Sequence, residues 1–185
     1  MKRVGWLLMP LLLLPLGCAD KPEPRPAGSG EAVEAAGGEA PVPLAPATFY
    51  YPDDTGMLSP EGGEAPASPV ELRIRRLVET LIAGPQETTG VLHAPLPKET
   101  TVGGVLVLDG VAYVDLRGQN DGPPPAVGSM DEQMILYSLI DTIVLNSPPV
   151  ERVVLLWNGS QRETFAGHFD TTRPLPADSS LIASR

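Results

Sequence analysis

Two short turn sequences constrain the fold of this chain more than any other feature. Asp109–Gly110 lies inside the run Gly104–Leu116, and Asn158–Gly159 lies inside the run Arg152–Phe165. Each pair is flanked by strand-forming residues, mainly Val and Leu. Asp-Gly and Asn-Gly are preferred for the two-residue type I′ turn, in which both central residues have positive φ. The sequence therefore predicts two antiparallel β-hairpins.

A helix is predicted before the first hairpin. Ser68 is its expected N-cap, Pro69 its first helical residue and Glu71 the partner in a capping box. Apolar residues then recur with helical spacing and form one stripe: Ile74, Leu77, Val78, Leu81 and Ile82. Gly84–Pro85 is expected to end this helix.

A second helix is predicted between the two hairpins. Ser129 is its expected N-cap, and Glu132, three residues later, completes a second capping box. Its apolar stripe is Leu136, Leu139, Ile140, Ile143 and Val144. The preceding segment Arg117–Gly128 contains three successive prolines, which lack backbone donors, so it is predicted to be an exposed loop.

The predicted order of elements is strand, helix, hairpin, helix, hairpin, with Thr48–Pro52 as the first strand. Two helices combined with tight hairpins are typical of a two-layer α+β fold, in which the helices cover one face of a mixed sheet. This sheet is expected to contain the two hairpins and the first strand. The folded domain is expected to span residues 48–175, a length that supports a stable core without disulfides. Residues 176–185 are expected to form a flexible tail.

The first 17 residues have the three parts of a secretory signal peptide: a basic start at Lys2–Arg3, the apolar run Val4–Leu14, and the small residue Gly17. The apolar run is shorter than the ~20 residues that a membrane-spanning helix needs. Cys18, the only cysteine of the chain, follows directly. It resembles the lipidated cysteine of bacterial lipoproteins, although Pro15 stands where their signals usually have Leu. We favour lipid attachment at Cys18 over an incidental cysteine after ordinary cleavage.

Residues 18–47 are predicted to be the lipidated N-terminus followed by a disordered tether. They are rich in Pro, Gly, Ala and Glu and contain few large apolar side chains. The signal, anchor and tether predict an exported protein of the cell envelope, held to a membrane by its lipid. The net charge of −10 argues against a nucleic-acid partner, because such binding requires Lys and Arg to replace phosphate counterions. It favours neutral or cationic partners.

Several segments together resemble the GerMN domain of sporulation and spore-germination proteins. They are "FYYPDDTGML", "VETLIAGP", "VLVLDGVAYVDL", "ILYSLIDTIVLNSPPVERVVLLWNG" and "ETFAGHFDTTRPL". The resemblance covers residues 48–175. It implies a module of envelope assemblies, similar to ring-building domains, with no established catalytic residue. One departure is Asp141, where family members commonly have Asn.

Two motifs suggest catalytic or metal chemistry. Asp54–Gly56 has the Asp-Thr-Gly sequence of aspartic proteases, but a turn after the first strand explains it more simply. His168, with Asp170 and His93, could contribute zinc ligands. A zinc site requires three or four protein ligands, however, and the chain has only two histidines. We favour a turn imidazole bonded to the backbone. Neither a metal nor a cofactor is predicted.

A further group of polar residues lies near one face of the second helix. Ser138, Asp141 and Thr142 could form a polar contact strip, since residues three and four apart are neighbours on a helix. We favour an ordinary solvated face.

Two hypotheses for function follow. The favoured one is a non-catalytic, lipid-anchored module that binds envelope proteins or peptidoglycan through the 117–128 loop or an unpaired strand edge. The alternative is a hydrolase acting on the cell wall or on peptides through carboxylates such as Asp54, Asp115 or Asp141.

Overall fold

The computed structural model describes residues 41–88 and 90–184. The predicted signal peptide, Cys18 and the tether up to residue 40 lie outside the described residues. The helices and strands are β1 (Leu44–Pro52), β2 (Leu58–Pro66), α1 (Val70–Ala83), β3 (Thr101–Leu108), β4 (Val111–Arg117), α2 (Ser129–Asn146), β5 (Arg152–Trp157), β6 (Ser160–Gln161) and β7 (Leu175–Pro176). Within these residues, neither helix combines the length and the apolar composition that a bilayer crossing requires.

The larger sheet contains β3, β4 and β5 in that order. Strands β6 and β7 both pair with β5, one near its end and one near its start. β4 and β5 are parallel and are joined through α2, whereas the other pairs are antiparallel. Alternate side chains of β4 and β5 pack with both helices in one core. The predicted two-layer α+β fold with a mixed sheet is confirmed.

Both hairpin turns form at the predicted residues. Asp109 and Gly110 have φ of 49° and 75°, and Asn158 and Gly159 have φ of 51° and 77°. Positive φ at both central positions is what a type I′ turn requires. The second hairpin is shorter than expected, because β6 has only two residues. The chain then leaves the sheet, and the ring of Phe165 packs edge-on against Trp157 at 5.5 Å.

Strand β2 is not predicted by the sequence patterns. Its sequence, "LSPEGGEAP", contains two prolines and two glycines, which weaken strand propensity. It nevertheless pairs with β1 along nine residue pairs, from Leu44–Pro66 to Pro52–Leu58. Gly63 has a packing role here, because a Cβ at this position would approach the Phe49 ring to 2.7 Å. The two strands form a separate antiparallel sheet, so the expected place of the first strand in the mixed sheet is wrong: β1 pairs with β2 instead.

Strand β1 is also longer than predicted. It begins at Leu44 rather than Thr48, so residues 44–47 belong to the sheet and not to the tether. Ala47 is buried in the core. The apolar pattern starts late because the strand opens with small residues and Pro46, whose strand character comes from pairing with β2.

The starts of both helices differ from the prediction. The N-caps are Pro69 and Gly128, and neither makes a side-chain capping bond. Ser68 and Ser129 are therefore not the capping residues. Neither predicted capping box forms, and Glu132 is instead fully buried. Its carboxylate accepts hydrogen bonds from the loop at residues 166–169, which is distant in the sequence, whereas the capping-box pattern considers only neighbouring residues.

Arg73 of α1 is a buried cation bonded entirely to backbone carbonyls. Nε donates to the carbonyl of Asn146 (2.7 Å), and Nη2 donates to Pro46 (2.8 Å). Nη1 donates to Pro66 (3.0 Å) and Ala65 (3.3 Å). The side chain thus connects β1, β2 and the end of α2. It satisfies the terminal carbonyl of α2, where a positive charge is also favoured by the helix dipole.

The last residues are not the structureless tail that was expected. β7 pairs with the start of β5, and the carboxylate of Asp178 caps a short 3-10 turn at Ser179–Leu181. The amide of Ala183 then donates to the carbonyl of Leu58 (2.9 Å). These backbone hydrogen bonds do not depend on residue type and leave no pattern in the sequence, so sequence patterns predict a flexible tail here.

Candidate functional site

The outer face of the larger sheet is apolar. Side chains of adjacent strand residues point to opposite faces, and the inward residues of β4 are fully buried against the helices. On the outward face, Leu106 lies opposite Tyr113 and Leu108 lies opposite Val111. Leu106 and Leu108 are 57% and 55% exposed. Such a face is unusual for a two-layer domain, in which the sheet surface away from the helices is normally polar.

A shallow hollow of about 330 Å³ lies on this face. Its lining includes Leu106, Tyr113 and Leu156, with Asp115 at its side. Gly104 also lines the hollow, and a Cβ at this position would meet nothing within 4 Å. The hollow is open and apolar, and is therefore suited to receiving a side chain of another molecule rather than enclosing a substrate.

Strand β3 is the edge of the larger sheet. Among the described residues it pairs only with β4, so its other edge has free backbone groups. Arg75 Nη1 donates to the carbonyl of Val102 (2.7 Å), and a bulge lies between Val102 and Gly104. These features hinder another strand from pairing with the start of β3. Residues 105–108, in contrast, contain no charge, proline or bulge that would prevent such pairing. We call the outward face of β3 and β4, together with the open edge at 105–108, the β3 surface.

The 117–128 loop is mostly exposed, as predicted, but its first half is held to the sheet. Trp157 Nε1 donates to the carbonyl of Gly122 (2.7 Å), and Asn158 Nδ2 donates to Asp121 and Gly122. Gly118 is required for the close approach, because a Cβ there would lie 2.6 Å from the carbonyl oxygen of Gly122. The loop is thus anchored to the turn of the second hairpin.

The carboxylates considered for hydrolysis have separate structural roles. Asp54 Oδ1 lies 2.6 Å from Nε2 of His93 in the turn after β1. Asp115 accepts from the amide of Gly159 (2.7 Å) and from Nε of Arg117 (3.2 Å), and so connects β4 to the second hairpin turn. The turn interpretation of the Asp-Thr-Gly triplet agrees with this geometry, since the preceding carboxylate, that of Asp53, organises the turn.

Asp141 is fully buried on α2. Its Oδ1 accepts from the amide of Asp178 (2.9 Å), whereas Oδ2 has no hydrogen-bond partner among the residues that the structure describes. Burial raises the pKa of Asp141 to about 6, and the negative charge of Asp178 acts in the same direction. The hydrogen-bond partners of Asp54, Asp115 and Asp141 are thus all different, and none of the three carboxylates is bonded to another.

Ser138, Thr142 and Asn146 form a polar ladder along one face of α2, bonded to the backbone of β1. Ser138 Oγ donates to the carbonyl of Tyr50 (2.6 Å), and Thr142 Oγ1 accepts from the amide of Tyr50 (3.1 Å). Asn146 accepts from the amide of Thr48 (2.8 Å) and donates to its carbonyl (2.7 Å). The helix therefore supplies the bonds that another strand would make along this edge of β1.

The favoured interpretation of Ser138, Asp141 and Thr142 as a solvated face is wrong, since all three are fully buried. They face the domain's own backbone and are not an external contact strip. The four-residue spacing of Ser138, Thr142 and Asn146 is the signal that could have indicated a polar contact with a neighbouring element.

Glu132 is a structural anchor whose role sequence reasoning missed. Its carboxylate accepts from the amides of Ala166 (2.8 Å), His168 (2.8 Å) and Phe169 (3.3 Å), and Nδ1 of His168 lies 2.8 Å from Oε2. Burial raises the pKa of Glu132, but these hydrogen bonds outweigh burial and lower it below its usual value. The sequence predicts that the imidazole of His168 bonds to the backbone, but its partner is the carboxylate of Glu132.

The residues that were considered as possible zinc ligands are used in other contacts. Asp170 caps a turn by accepting from the amide (2.9 Å) and the hydroxyl (2.6 Å) of Thr172. His168 pairs with Glu132, and His93 pairs with Asp54. In the described part of the chain, no three His, Cys, Asp or Glu side chains come together as metal ligands.

Comparisons with known proteins agree with this architecture. Residues 48–163 match the family model described as "Germane: Sporulation and spore germination". No curated protein sequence matches significantly. Among solved structures, a candidate lipoprotein from Clostridium perfringens is 23% identical, with a TM-score of 0.53; the match covers 74% of this chain and 89% of that one.

Two structures of the Bacillus subtilis sporulation protein GerM are similar as well. Its first GerMN domain is 23% identical, with a TM-score of 0.55, over 71% of this chain and 97% of that one. Its tandem GerMN domains are 20% identical, with a TM-score of 0.57, over 75% of this chain but only 48% of theirs. Identities at this level show a shared fold. Because the family model matches more than half of the sequence, this chain belongs to the Germane family of sporulation and spore germination.

Proposed function

We propose that this protein is a lipid-anchored, non-catalytic module of the cell envelope that binds a partner protein through the β3 surface. The observation that carries the proposal is the outer edge of β3, which pairs with no other strand of the described residues and lies beside the exposed side chains of Leu106 and Leu108. An extended segment of a partner can pair with the free backbone groups of residues 105–108. Its alternate side chains would then contact the apolar face.

Three further observations support this role. The sequence before the domain has the pattern of a signal peptide, a cysteine at the expected attachment position, Cys18, and a long polar segment that is predicted to be a tether. The carboxylates considered for a hydrolase accept hydrogen bonds from separate parts of the domain itself, which favours structural roles. The family is described by sporulation and spore germination, and one similar structure is that of a candidate lipoprotein.

The binding proposal can be tested by cross-linking in cells. A photo-crosslinking amino acid is placed at position 108 in the full chain, with position 145 on α2 as the matched control, because Leu145 is also exposed, at 45%. We expect cross-links to a defined envelope protein from position 108 only, and Leu106→Lys should remove them. Equal cross-linking from both positions, or cross-links unaffected by Leu106→Lys, would contradict the proposal. Co-sedimentation with purified peptidoglycan that depends on Leu106 would indicate the cell wall as the ligand instead.

The anchor is tested separately. A fatty acid label supplied to cells should be incorporated into the wild-type chain and not into the Cys18→Ser variant, which should leave the membrane fraction. Equal labelling of both chains would refute attachment at Cys18 without bearing on the β3 surface.

A further inference from the structure

A second groove, of about 320 Å³, lies between the β1–β2 turn, residues 93–95 and the first turns of α2. It shares no lining residue with the β3 surface and is not used by the proposed function. Its floor is formed by Pro95, Met134 and Ile135, all of which are buried. Met130 stands at its lip and is 60% exposed, although it is a large apolar residue. We call this site the Met130 groove.

The lining is adaptable as well as apolar. The sulfur of Met130 lies next to Gly56, which has no side chain to cover it. Methionine side chains are unbranched and polarisable, and can adjust to bulky apolar groups of different shape. The groove is too open to enclose a drug-sized ligand, but its volume suits one large side chain of a partner.

The charged groups around the groove are acidic. Asp53 and Asp131 line it, and Asp54 lies at its rim through the contact with His93. No lysine or arginine is among the lining residues that the structure describes. Asp53 accepts from Thr55 and Ser59; burial raises its pKa, but these bonds outweigh burial and lower it, so the carboxylate is ionised at neutral pH.

From this combination we infer that the Met130 groove binds a cationic, apolar peptide segment, in which a bulky apolar side chain is flanked by Lys or Arg. The apolar side chain fills the space above Met134, and the flanking cations approach the carboxylates of Asp53, Asp54 and Asp131. Charge complementarity selects this class. An anionic lipid surface or an acidic segment would be repelled by the same carboxylates and by the net charge of −10.

The test uses the mature chain with Cys18→Ser, so that no lipid is attached, and three labelled hexapeptides. GKLWKG is cationic and apolar, GELWEG is acidic and apolar, and GKSSKG is cationic and polar. We expect GKLWKG to bind at least about tenfold more tightly than the other two, and to bind more weakly as salt is raised. NMR shift changes should be confined to residues 53–56, 93–95 and 127–135. Equal binding of the acidic peptide, or shift changes centred elsewhere, would overturn the inference.

Variants separate this site from the rest of the surface. Met130→Ser should weaken GKLWKG binding about tenfold by removing the exposed apolar contact, and Asp131→Asn should reduce the salt dependence. Leu145→Ser, on the same helix and also exposed, is the matched control and should leave binding unchanged. Leu106→Lys should also leave it unchanged, because Leu106 lies on the β3 surface. Loss of binding in either of the last two variants would refute the Met130 groove as the site, while the cross-linking result at position 108 would stand on its own.

Discussion

Replacing Asp141 by asparagine should stabilise the domain at neutral pH. Asp141 is fully buried on α2, and within the described part of the chain only one of its two carboxylate oxygens has a hydrogen-bond partner. Burial and the nearby charge of Asp178 raise its pKa from 3.8 to about 6. In the folded state the ionised form is therefore disfavoured relative to the unfolded chain. This cost grows as the pH rises from 3.8 and is complete above about 6.

The magnitude follows from the size of the shift. A rise of about two pKa units corresponds to about 3 kcal/mol at pH 7.5, and to only about 1 kcal/mol at pH 4.5, where folded Asp141 is mostly protonated. Asparagine removes this cost, since its oxygen can still accept from the amide of Asp178. Its new amide group needs an acceptor, and the cost of leaving this group unpaired offsets part of the gain by an amount that does not vary with pH. The stabilisation should thus be about 2 kcal/mol larger at pH 7.5 than at pH 4.5.

Urea unfolding at the two pH values measures this difference. The probe is the fluorescence of Trp157, which is buried and is the only tryptophan after residue 18. Asp109→Asn, at an exposed turn position, is the matched control and should show no comparable change with pH. The reasoning fails if Asp141→Asn changes the free energy of unfolding equally at both pH values, or if it gains stability only at the lower one.

Further predictions concern the buried polar contacts. Asn146→Ala should lower the free energy of unfolding by about 1–3 kcal/mol, because it leaves the amide and carbonyl of Thr48 without their bonds to Asn146. Asn146→Asp should recover only the bond from the amide. If denaturant titration finds either variant as stable as the wild type, the polar ladder does not stabilise the domain. Glu132→Gln should weaken the anchor of the 166–169 loop, so hydrogen exchange of the Ala166 and Phe169 amides should accelerate at neutral pH. Hydrogen bonds lower the pKa of Glu132, so the wild type should protect these amides better than the variant above the ordinary glutamate pKa, and the difference should decline as the pH falls below it. A difference in protection that does not depend on pH would refute this role for the ionised carboxylate.

The β3 surface was anticipated in part. An unpaired strand edge was expected as a contact surface, and its residues lie in the run that flanks Asp109–Gly110. That β3 is the edge strand could not be inferred, because the position of a strand in a sheet depends on which strands pair across long distances in sequence. The Met130 groove was not anticipated for the same reason: its residues come from three separate segments.

The sequence by itself determined the local structure of this protein. Asp109–Gly110 and Asn158–Gly159 form their turns because only certain residues tolerate positive φ at two successive positions, and the apolar stripes of α1 and α2 follow from helical periodicity. Tertiary structure alone decided that residues 58–66 form strand β2 and that the polar residues on α2 are buried. Their conformation and burial depend on backbone groups far away in the chain, which provide hydrogen bonds that no local pattern records.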